Sequence, residues 1–231
     1  MRLLLFDVDG TLITAHGAGR AAMARALEEV YGTTGPLETY DFRGRTDPEI
    51  VRDLMHAAGV PAPTVQARLA DCLAAYVRAL EPEVARRGVR VMPGVPALLA
   101  VLSRRPDVVV GLLTGNIEPG ARVKLAPTGL WPFFRLGAYG SDDADRRRLP
   151  AVACARARAL VGGEVPFSRV TIVGDTPLDV ACARACGARA VAVATGWHSA
   201  AELAACGPDH IFADCSDVDA VLAALLDGSG R

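Results

Sequence analysis

The segment that decides the fold lies near the start of the chain, where residues 3–12 read LLLFDVDGTL. Four apolar residues typical of a buried strand end at Phe6, and two carboxylates, Asp7 and Asp9, follow two residues apart. Side chains at i and i+2 of an extended stretch point to the same side, so both carboxylates can face one centre. Gly10 favours a turn directly after them, because it has no Cβ. Two anions this close favour a bound divalent cation, or a pair divided between nucleophile and acid–base catalyst.

The composition argues against some functional classes. Hydrophobic residues make up 51% of the 231 residues and aromatic residues only 5%, so we expect a sizeable core built mainly of Ala, Val and Leu. The net charge of -1 gives no argument for a nucleic-acid or membrane partner. The six cysteines include no Cys-x-x-Cys pair, and we find no export signal and no membrane-spanning run. These features predict a reduced, cytoplasmic protein.

Apolar runs alternate with helical patterns along most of the chain. The runs that predict buried parallel strands are 3–6, 108–113, 170–173 and 190–193, with weaker candidates at 136–139 and 211–212. Such alternation indicates an α/β fold with a doubly wound, Rossmann-like parallel sheet. Ligands bind to these sheets at the carboxyl ends of the strands.

One segment, residues 15–87, departs from this alternation. It contains no convincing strand, and its helical patterns lie at 18–31, 48–58 and 64–80. We therefore expect two domains: an α/β core formed by residues 1–14 and 88–231, and a helical domain formed by residues 15–87 that is inserted into it.

Polar residues also follow two later predicted strands. Thr114 places a hydroxyl at a strand end, next to Gly115 and Asn116, where hydroxyl and free backbone amides together suit a phosphoryl oxygen. Asp175 follows the strand predicted at 170–173 and Asp179 lies four residues further on. A carboxylate in this place can be a hard oxygen ligand for Mg²⁺.

A basic turn completes the set, since residues 145–150 read DRRRLP. A fixed positive charge there can screen carboxylates and hold a phosphate. The sequence does not decide which arginine points inward.

The ordered set resembles the haloacid dehalogenase superfamily over essentially the whole chain. It comprises Asp-x-Asp-Gly-Thr at 7–11, the strand-end Thr114, the basic turn, and Gly-Asp-x-x-x-Asp at 174–179. The segment 15–87 resembles the helical cap domain of the phosphoglycolate-phosphatase-like branch. The resemblance implies a hydrolase with an α/β core, an inserted cap and Mg²⁺ as cofactor.

The resemblance also implies residue roles. Asp7 is expected to be the nucleophile that forms an aspartyl-phosphate, and Asp9 to protonate the leaving group and then deprotonate water. Mg²⁺ would be held by Asp7, the backbone carbonyl of Asp9 and Asp175. Thr114, with Asn116 and the amides of this turn, including Gly115, would bind the phosphoryl group. Asp179 would support the metal site or the basic residue.

The third motif of this family is usually a lysine, often followed by proline, and this chain differs there. Arg147 fits the spacing to Pro150 best, and Arg146 fits nearly as well. Lys124, the single lysine of the chain, is the alternative. We discount it because it follows Thr114 closely and lies on a helical pattern.

The leading hypothesis is a phosphatase acting on a small-molecule phosphate monoester, phosphoglycolate-like or a sugar phosphate. A phosphomutase on the same scaffold and a non-catalytic binding protein are the alternatives. The latter would be expected to lose Asp9 or Asp175, and both are present. In the helical segment, Arg43 and Arg45 are candidates to meet an anionic group of the substrate. The oligomeric state, monomer or homodimer, stays open.

Overall fold

The computed structural model describes residues 1–226, which contain eight strands. They are β1 (Arg2–Phe6), β2 (Ile13–Thr14), β3 (Arg90–Val91), β4 (Val108–Thr114), β5 (Leu136–Tyr139), β6 (Val170–Gly174), β7 (Arg189–Val193) and β8 (His210–Phe212). Six of them form one parallel sheet in the order β5-β4-β1-β6-β7-β8. The predicted α/β fold with a doubly wound parallel sheet is confirmed.

The position of β1 in the middle of the sheet determines where the site forms. On one side Phe6 is in register with Leu112 of β4, and on the other with Val173 of β6. The carboxyl ends of all three strands therefore meet at one edge. The side chains of β1 are almost wholly buried because helices cover both faces of the sheet.

Nine helices lie within residues 1–226. They are α1 (Ala18–Tyr31), α2 (Asp47–Ala57), α3 (Ala62–Arg87), α4 (Val95–Leu102), α5 (Glu118–Leu125), α6 (Leu149–Val161), α7 (Pro177–Cys186), α8 (Ala200–Ala205) and α9 (Val218–Leu226). Apolar side chains of α4, α5 and α9 pack on one face of the sheet, and those of α6 and α7 pack on the other. No helix in this part of the chain has the length and apolar character needed to cross a bilayer.

Helices α1, α2 and α3 form a helical unit with its own apolar cluster. Met23, Leu27, Leu54, Tyr76 and Leu80 are among its buried side chains. The unit lies within the range predicted for the inserted domain, and the exact division into 1–14 with 88–231 and 15–87 stays a prediction. Residues 227–231 of the predicted core lie outside the described residues.

Two elements differ from the prediction. Helix α3 runs on to Arg87, past the predicted end, although it contains Pro82. Beyond the proline, Glu83 is buried and pairs with Arg86 at 2.5 Å and with Arg87 at 2.7 Å, which stabilises the last turn. The second difference is the antiparallel pair of β2 and β3, which joins the start and the end of the helical segment.

Candidate active site

Three buried carboxylates meet at the carboxyl edge of the sheet. Asp7 follows β1, Asp175 follows β6, and Asp179 lies in the first turn of α7. One oxygen of each lies within 4.8 Å of the others. Asp175 Oδ1 accepts a hydrogen bond of 2.9 Å from the Thr11 hydroxyl. Gly10, at φ 87°, allows the loop to pass close to Asp175, because a Cβ there would overlap the carboxylate.

Arg146 supplies the positive charge that faces this cluster. Its Nη2 lies 3.1 Å from Asp7 Oδ1 and 2.5 Å from Asp179 Oδ1. Its Nη1 donates to the Gly44 carbonyl at 3.0 Å, and its buried Nε has no hydrogen-bond partner among residues 1–226. Burial opposes the charge, but Asp179 and Asp7 outweigh it and raise the pKa of Arg146 above its ordinary value. Arg146 is therefore always positively charged, and its Nε–H group remains free to donate one more hydrogen bond.

Arg147, which the spacing to Pro150 favoured, lies outside the cluster. Its side chain is 70% exposed and pairs with Asp145, with Nε and Nη2 each 2.9 Å from a carboxylate oxygen. Asp145 also accepts from the Arg147 N–H and so caps the short 3₁₀ turn Arg146–Arg148. This cap holds Arg147 outward and leaves Arg146 to face the sheet. The positive charge that faces the acidic cluster thus belongs to Arg146 and not to Arg147.

A second polar network lies beside the acidic cluster. Asn116 Nδ2 donates to Thr114 Oγ1 and to Asp9 Oδ2, both at 2.8 Å. Lys124 Nζ donates to Asp9 Oδ2 and to Asn116 Oδ1, both at 2.6 Å. Because an ammonium group only donates, Asn116 turns its oxygen to Lys124 and its amide hydrogens to Thr114 and Asp9. The Thr114 hydroxyl accepts within this network and has no acceptor of its own among the described residues, so it can donate to a ligand.

Lys124, which the sequence analysis discounted as the basic residue of the third motif, lies in this network beside Asp9 and not beside Asp7. It lies on the face of α5 that also buries Gly120, Ala121 and Leu125. The sequence does contain a signal for this position. Lys124 lies four residues after Gly120 and three after Ala121, which places it on the apolar face of the predicted helix. A lysine there must find a buried partner, because an unpaired buried charge is costly.

The electrostatics of the cluster leave negative charge uncompensated. Burial raises the pKa of Asp7 to about 6, and Arg146 only partly offsets this while Asp179 and Asp9 add to it. Burial, and then the charges of Asp7 and Asp179, raise the pKa of Asp175 well above its ordinary value. Three carboxylates face one buried guanidinium, and such a set fits a hard divalent cation with oxygen ligands.

Within the cluster, the carboxylates differ in how many oxygens are free. Asp179 gives Oδ1 to Arg146 and Oδ2 to the N–H and hydroxyl of Thr176. Asp7 and Asp175 keep oxygens without such partners. The donor set therefore fits a cation held by Asp7 and Asp175, with Asp179 fixing Arg146.

The loop that leads into α2 lies directly against these groups. The Asp47 N–H donates to the Gly115 carbonyl at 2.8 Å, and Asp47 Oδ2 accepts from the Ile117 N–H at 2.8 Å. The Thr46 hydroxyl donates to the Ala144 carbonyl at 2.8 Å. The helical unit is thus docked on the strand-end loops of the core.

A cavity of 990 Å³ lies between the helical unit and the core, and both predicted cap arginines line it. Each of them has its own carboxylate partner. Arg43 makes two contacts with Asp41, at 2.7 and 2.9 Å. Arg45 pairs with Glu49 at 2.7 Å and with Asp53 at 3.4 Å.

Arg20 on α1 lines the same cavity and differs from these two. Its guanidinium donates to the Leu37 and Tyr40 carbonyls at 2.6 and 2.8 Å and lies over the Phe42 ring. It has no carboxylate partner within residues 1–226. Its charge is therefore uncompensated in a cavity that also contains Asp7.

Comparison with known proteins connects this geometry to a family. Residues 4–184 match the family model of the haloacid dehalogenase-like hydrolases. The chain is 30% identical to a plasmid-encoded phosphoglycolate phosphatase of Cupriavidus necator, over 95% of this chain and 92% of that one. It is also 30% identical to the phosphoglycolate phosphatase of Synechococcus elongatus, over 94% and 95%. A hydrolase structure from Pseudomonas syringae superposes with a TM-score of 0.74 at 20% identity, covering 98% of this chain and 100% of that one.

The chain combines a parallel α/β sheet with paired carboxylates at the end of the first strand. Together with its similarity to these phosphatases, this arrangement identifies the chain as a hydrolase and, within that class, as a phosphatase. It belongs to the haloacid dehalogenase-like hydrolase family, as its motifs predict.

Proposed function

We propose that the protein is a Mg²⁺-dependent phosphatase that hydrolyses a small phosphate monoester through an aspartyl-phosphate on Asp7. The observation that carries this proposal is the arrangement of Asp7. It is buried, lies 3.1 Å from the guanidinium of Arg146, and sits within 4.8 Å of two further carboxylates. An anionic nucleophile and an anionic substrate can meet only where positive charge is concentrated.

The residues divide the reaction into two steps. Asp7 attacks phosphorus, and the leaving oxygen takes a proton from Asp9. Asp9 then removes a proton from water, which attacks the phosphoryl group and restores Asp7. Thr114 and the Nε of Arg146 each offer a hydrogen that has no acceptor among residues 1–226, and both would go to phosphoryl oxygens.

Mg²⁺ would be held by Asp7, Asp175 and the backbone carbonyl of Asp9. When bound, it would neutralise the phosphate and keep Asp7 anionic. Asp179 supports this arrangement by fixing Arg146, which lies 2.5 Å away.

The substrate we propose carries a second anionic group close to its phosphate, as phosphoglycolate does. The relatives from Cupriavidus necator and Synechococcus elongatus are named as phosphatases for that compound. Among the cations that line the cavity, Arg20, Arg43 and Arg45 belong to the helical segment, and these are the ones we propose for such a group. Arg45 would have to exchange its contacts with Glu49 and Asp53, whereas Arg20 has no carboxylate to leave.

The test compares phosphoglycolate with a neutral aryl phosphate. With phosphoglycolate, Arg20→Met should lower kcat/KM by more than about tenfold, on the order of one charge-assisted contact. Arg45→Met should act in the same direction and by less. Turnover of the aryl phosphate should hardly change in either variant. Arg78→Met removes an exposed cation of α3 and is the matched control.

Two outcomes would contradict the proposal. Equal losses on both substrates would assign these arginines to the packing of the helical unit instead. Conversion of a sugar phosphate into an isomer without release of inorganic phosphate would favour the phosphomutase alternative.

A further inference from the structure

Lys124 is the buried cation whose role the proposed mechanism does not explain. It is 5% exposed, although α5 otherwise presents only small or apolar residues on that face. Its Nζ contacts Asp9 Oδ2 and Asn116 Oδ1, each at 2.6 Å. Within residues 1–226, Lys124 makes the only ion pair of Asp9.

Lys124 is also enclosed from the side of the helical unit. A Cβ added to Gly19 of α1 would lie 3.3 Å from Nζ and 3.5 Å from the hydroxyl oxygen of Tyr76 on α3. Tyr76 is fully buried. The ammonium group thus lies at the wall of the cavity, among Asp9, Asn116, Gly19 and Tyr76, and two of its hydrogens are given to Asp9 and Asn116.

Asp9 needs a charged partner because its side chain is far more exposed than those of the neighbouring carboxylates. The Asp9 side chain is 44% exposed, whereas those of Asp7 and Asp179 are 6% and 2% exposed. An acid–base catalyst must be held within hydrogen-bonding reach of the leaving oxygen and of the attacking water. Lys124 Nζ and Asn116 Nδ2 both donate to the same oxygen, Oδ2, and no side-chain donor among residues 1–226 contacts Oδ1.

We propose that Lys124 is the positioning residue of Asp9: it fixes the Oδ2 oxygen so that Oδ1 faces the reacting group, and it holds this geometry while α1 and α3 enclose it. This inference rests on the proposed function, in which Asp9 is the acid and base. Arg146 and Lys124 then have separate tasks. Arg146 places a positive charge beside the nucleophile Asp7, and Lys124 positions the acid–base residue Asp9.

The kinetic test is a double-mutant cycle. Lys124→Met keeps the length of the side chain and removes its charge, and it should lower kcat by more than about tenfold with KM changed by less than about threefold. In the Asp9→Asn background the same substitution should cost less than about twofold, because nothing is left to position. Arg122→Met removes an exposed cation from the same helix and should leave kcat unchanged.

A second measurement does not depend on activity or on the folding of the Lys124 variant. Because the chain has one lysine, ¹⁵N-lysine labelling gives a single side-chain ammonium signal in NMR. Asp9→Asn should shift this signal, and Asp107→Asn, at an exposed pair with Arg105, should not.

Three results would overturn the inference. They are a Lys124→Met variant with wild-type kcat, an equal loss in the wild-type and Asp9→Asn backgrounds, and an ammonium signal that Asp9→Asn leaves in place. A wild-type protein that hydrolyses no phosphate monoester would contradict the proposed function instead, and the NMR comparison would still decide whether Lys124 contacts Asp9.

Discussion

At the scale of single residues, two adjacent arginines occupy opposite environments. The side chain of Arg146 is 7% exposed and faces Asp7 and Asp179, while that of Arg147 is 70% exposed and pairs with Asp145. An exposed pair contributes about 0–1 kcal/mol to stability. Removing one partner from a buried charge cluster costs about 3–5 kcal/mol, because the remaining charges are left unpaired.

This contrast predicts different results for two matched substitutions. Arg146→Met should lower kcat/KM by at least about 100-fold, since a preorganised cation at the phosphoryl group is lost. Arg147→Met should stay within about twofold of wild type. Steady-state kinetics with an aryl phosphate, on variants checked for folding by circular dichroism, measures both. Similar losses in the two variants would argue against the assignment of Arg146.

The choice between these two arginines shows where sequence reasoning reaches its limit. The spacing to Pro150 favours Arg147, whereas Arg146 is the residue of this turn whose side chain faces Asp7 and Asp179. The direction of each side chain depends on the cap that Asp145 makes and on the packing of this turn against β4, where Arg146 reaches the Leu113 carbonyl. The cap is a local contact and the packing against β4 is a tertiary one, and the spacing to a proline contains neither.

At the scale of elements, the N-terminus of α2 is docked on the N-terminus of α5 through Asp47. Its carboxylate is buried and accepts from the Ile117 N–H at 2.8 Å. Burial raises the pKa of Asp47 to about 6, although Lys124 and this backbone hydrogen bond lower it. The contact between the helical unit and the core therefore contains a carboxyl group that titrates above its ordinary range.

The sign of the resulting pH dependence follows from linkage. The folded state holds the Asp47 proton more tightly than the unfolded state does, so this group's contribution to stability is lost as pH rises from about 4 to about 6. Asp47→Asn lacks this loss. The free energy of unfolding of Asp47→Asn relative to wild type should therefore rise with pH, by up to about 3 kcal/mol.

Urea unfolding of wild type and Asp47→Asn in chelator checks this prediction at about pH 4, where the transition begins, and at about pH 7, beyond its end. Asp53→Asn, which removes a partly exposed carboxylate from the same helix, is the control for the loss of a negative charge from α2. A difference between Asp47→Asn and wild type that does not change with pH would show that Asp47 ionises normally in the folded protein.

The sequence predicts best those helices and strands that depend on neighbouring residues, and it predicts least well those that depend on residues far apart in the chain. The strands β1, β4, β6 and β7 are nearly continuous apolar runs rich in Val, Leu, Ile and Ala, a pattern typical of buried parallel strands. The pair of β2 and β3 has two residues in each strand and becomes visible only when residues about 75 positions apart are brought together. Helix α3 continues past Pro82, and the buried Glu83 that follows pairs across to Arg25 of α1 at 2.8 Å, a contact that the local sequence does not contain.

At the scale of the whole molecule, the site is an assembly of strand ends with a helical unit docked over them. The acidic residues come from three places in the chain: after β1, after β6 and in α7. Their mutual repulsion works against the compact state, and Arg146 relieves only part of it. A ligand that binds only the assembled site stabilises the whole fold.

Mg²⁺ should therefore raise the Tm of the wild-type protein, with a gain of about 2.7 kcal/mol when its concentration is 100 times its Kd. Asp175→Asn should abolish this shift, because it removes a proposed ligand, while Asp107→Asn should retain it. Calorimetry with and without chelator measures the effect, and phosphatase activity should disappear in chelator. An undiminished shift in Asp175→Asn, or full activity in chelator, would contradict the proposed metal site.

The central claim is that Asp7 carries the phosphoryl group, and one measurement tests it most directly. In Asp9→Asn, the base for the second step is removed, and an aryl phosphate with a very good leaving group needs no acid for the first. Acid quench, peptic digestion in acid, which preserves an acyl phosphate, and mass spectrometry should find one phosphoryl group on the peptide that contains residues 7 and 9, assigned to Asp7 by fragmentation. The phenolate should appear in a burst of one equivalent. A phosphoryl group on another residue, turnover by Asp9→Asn without any labelled peptide, or a burst that persists in Asp7→Asn would contradict the account.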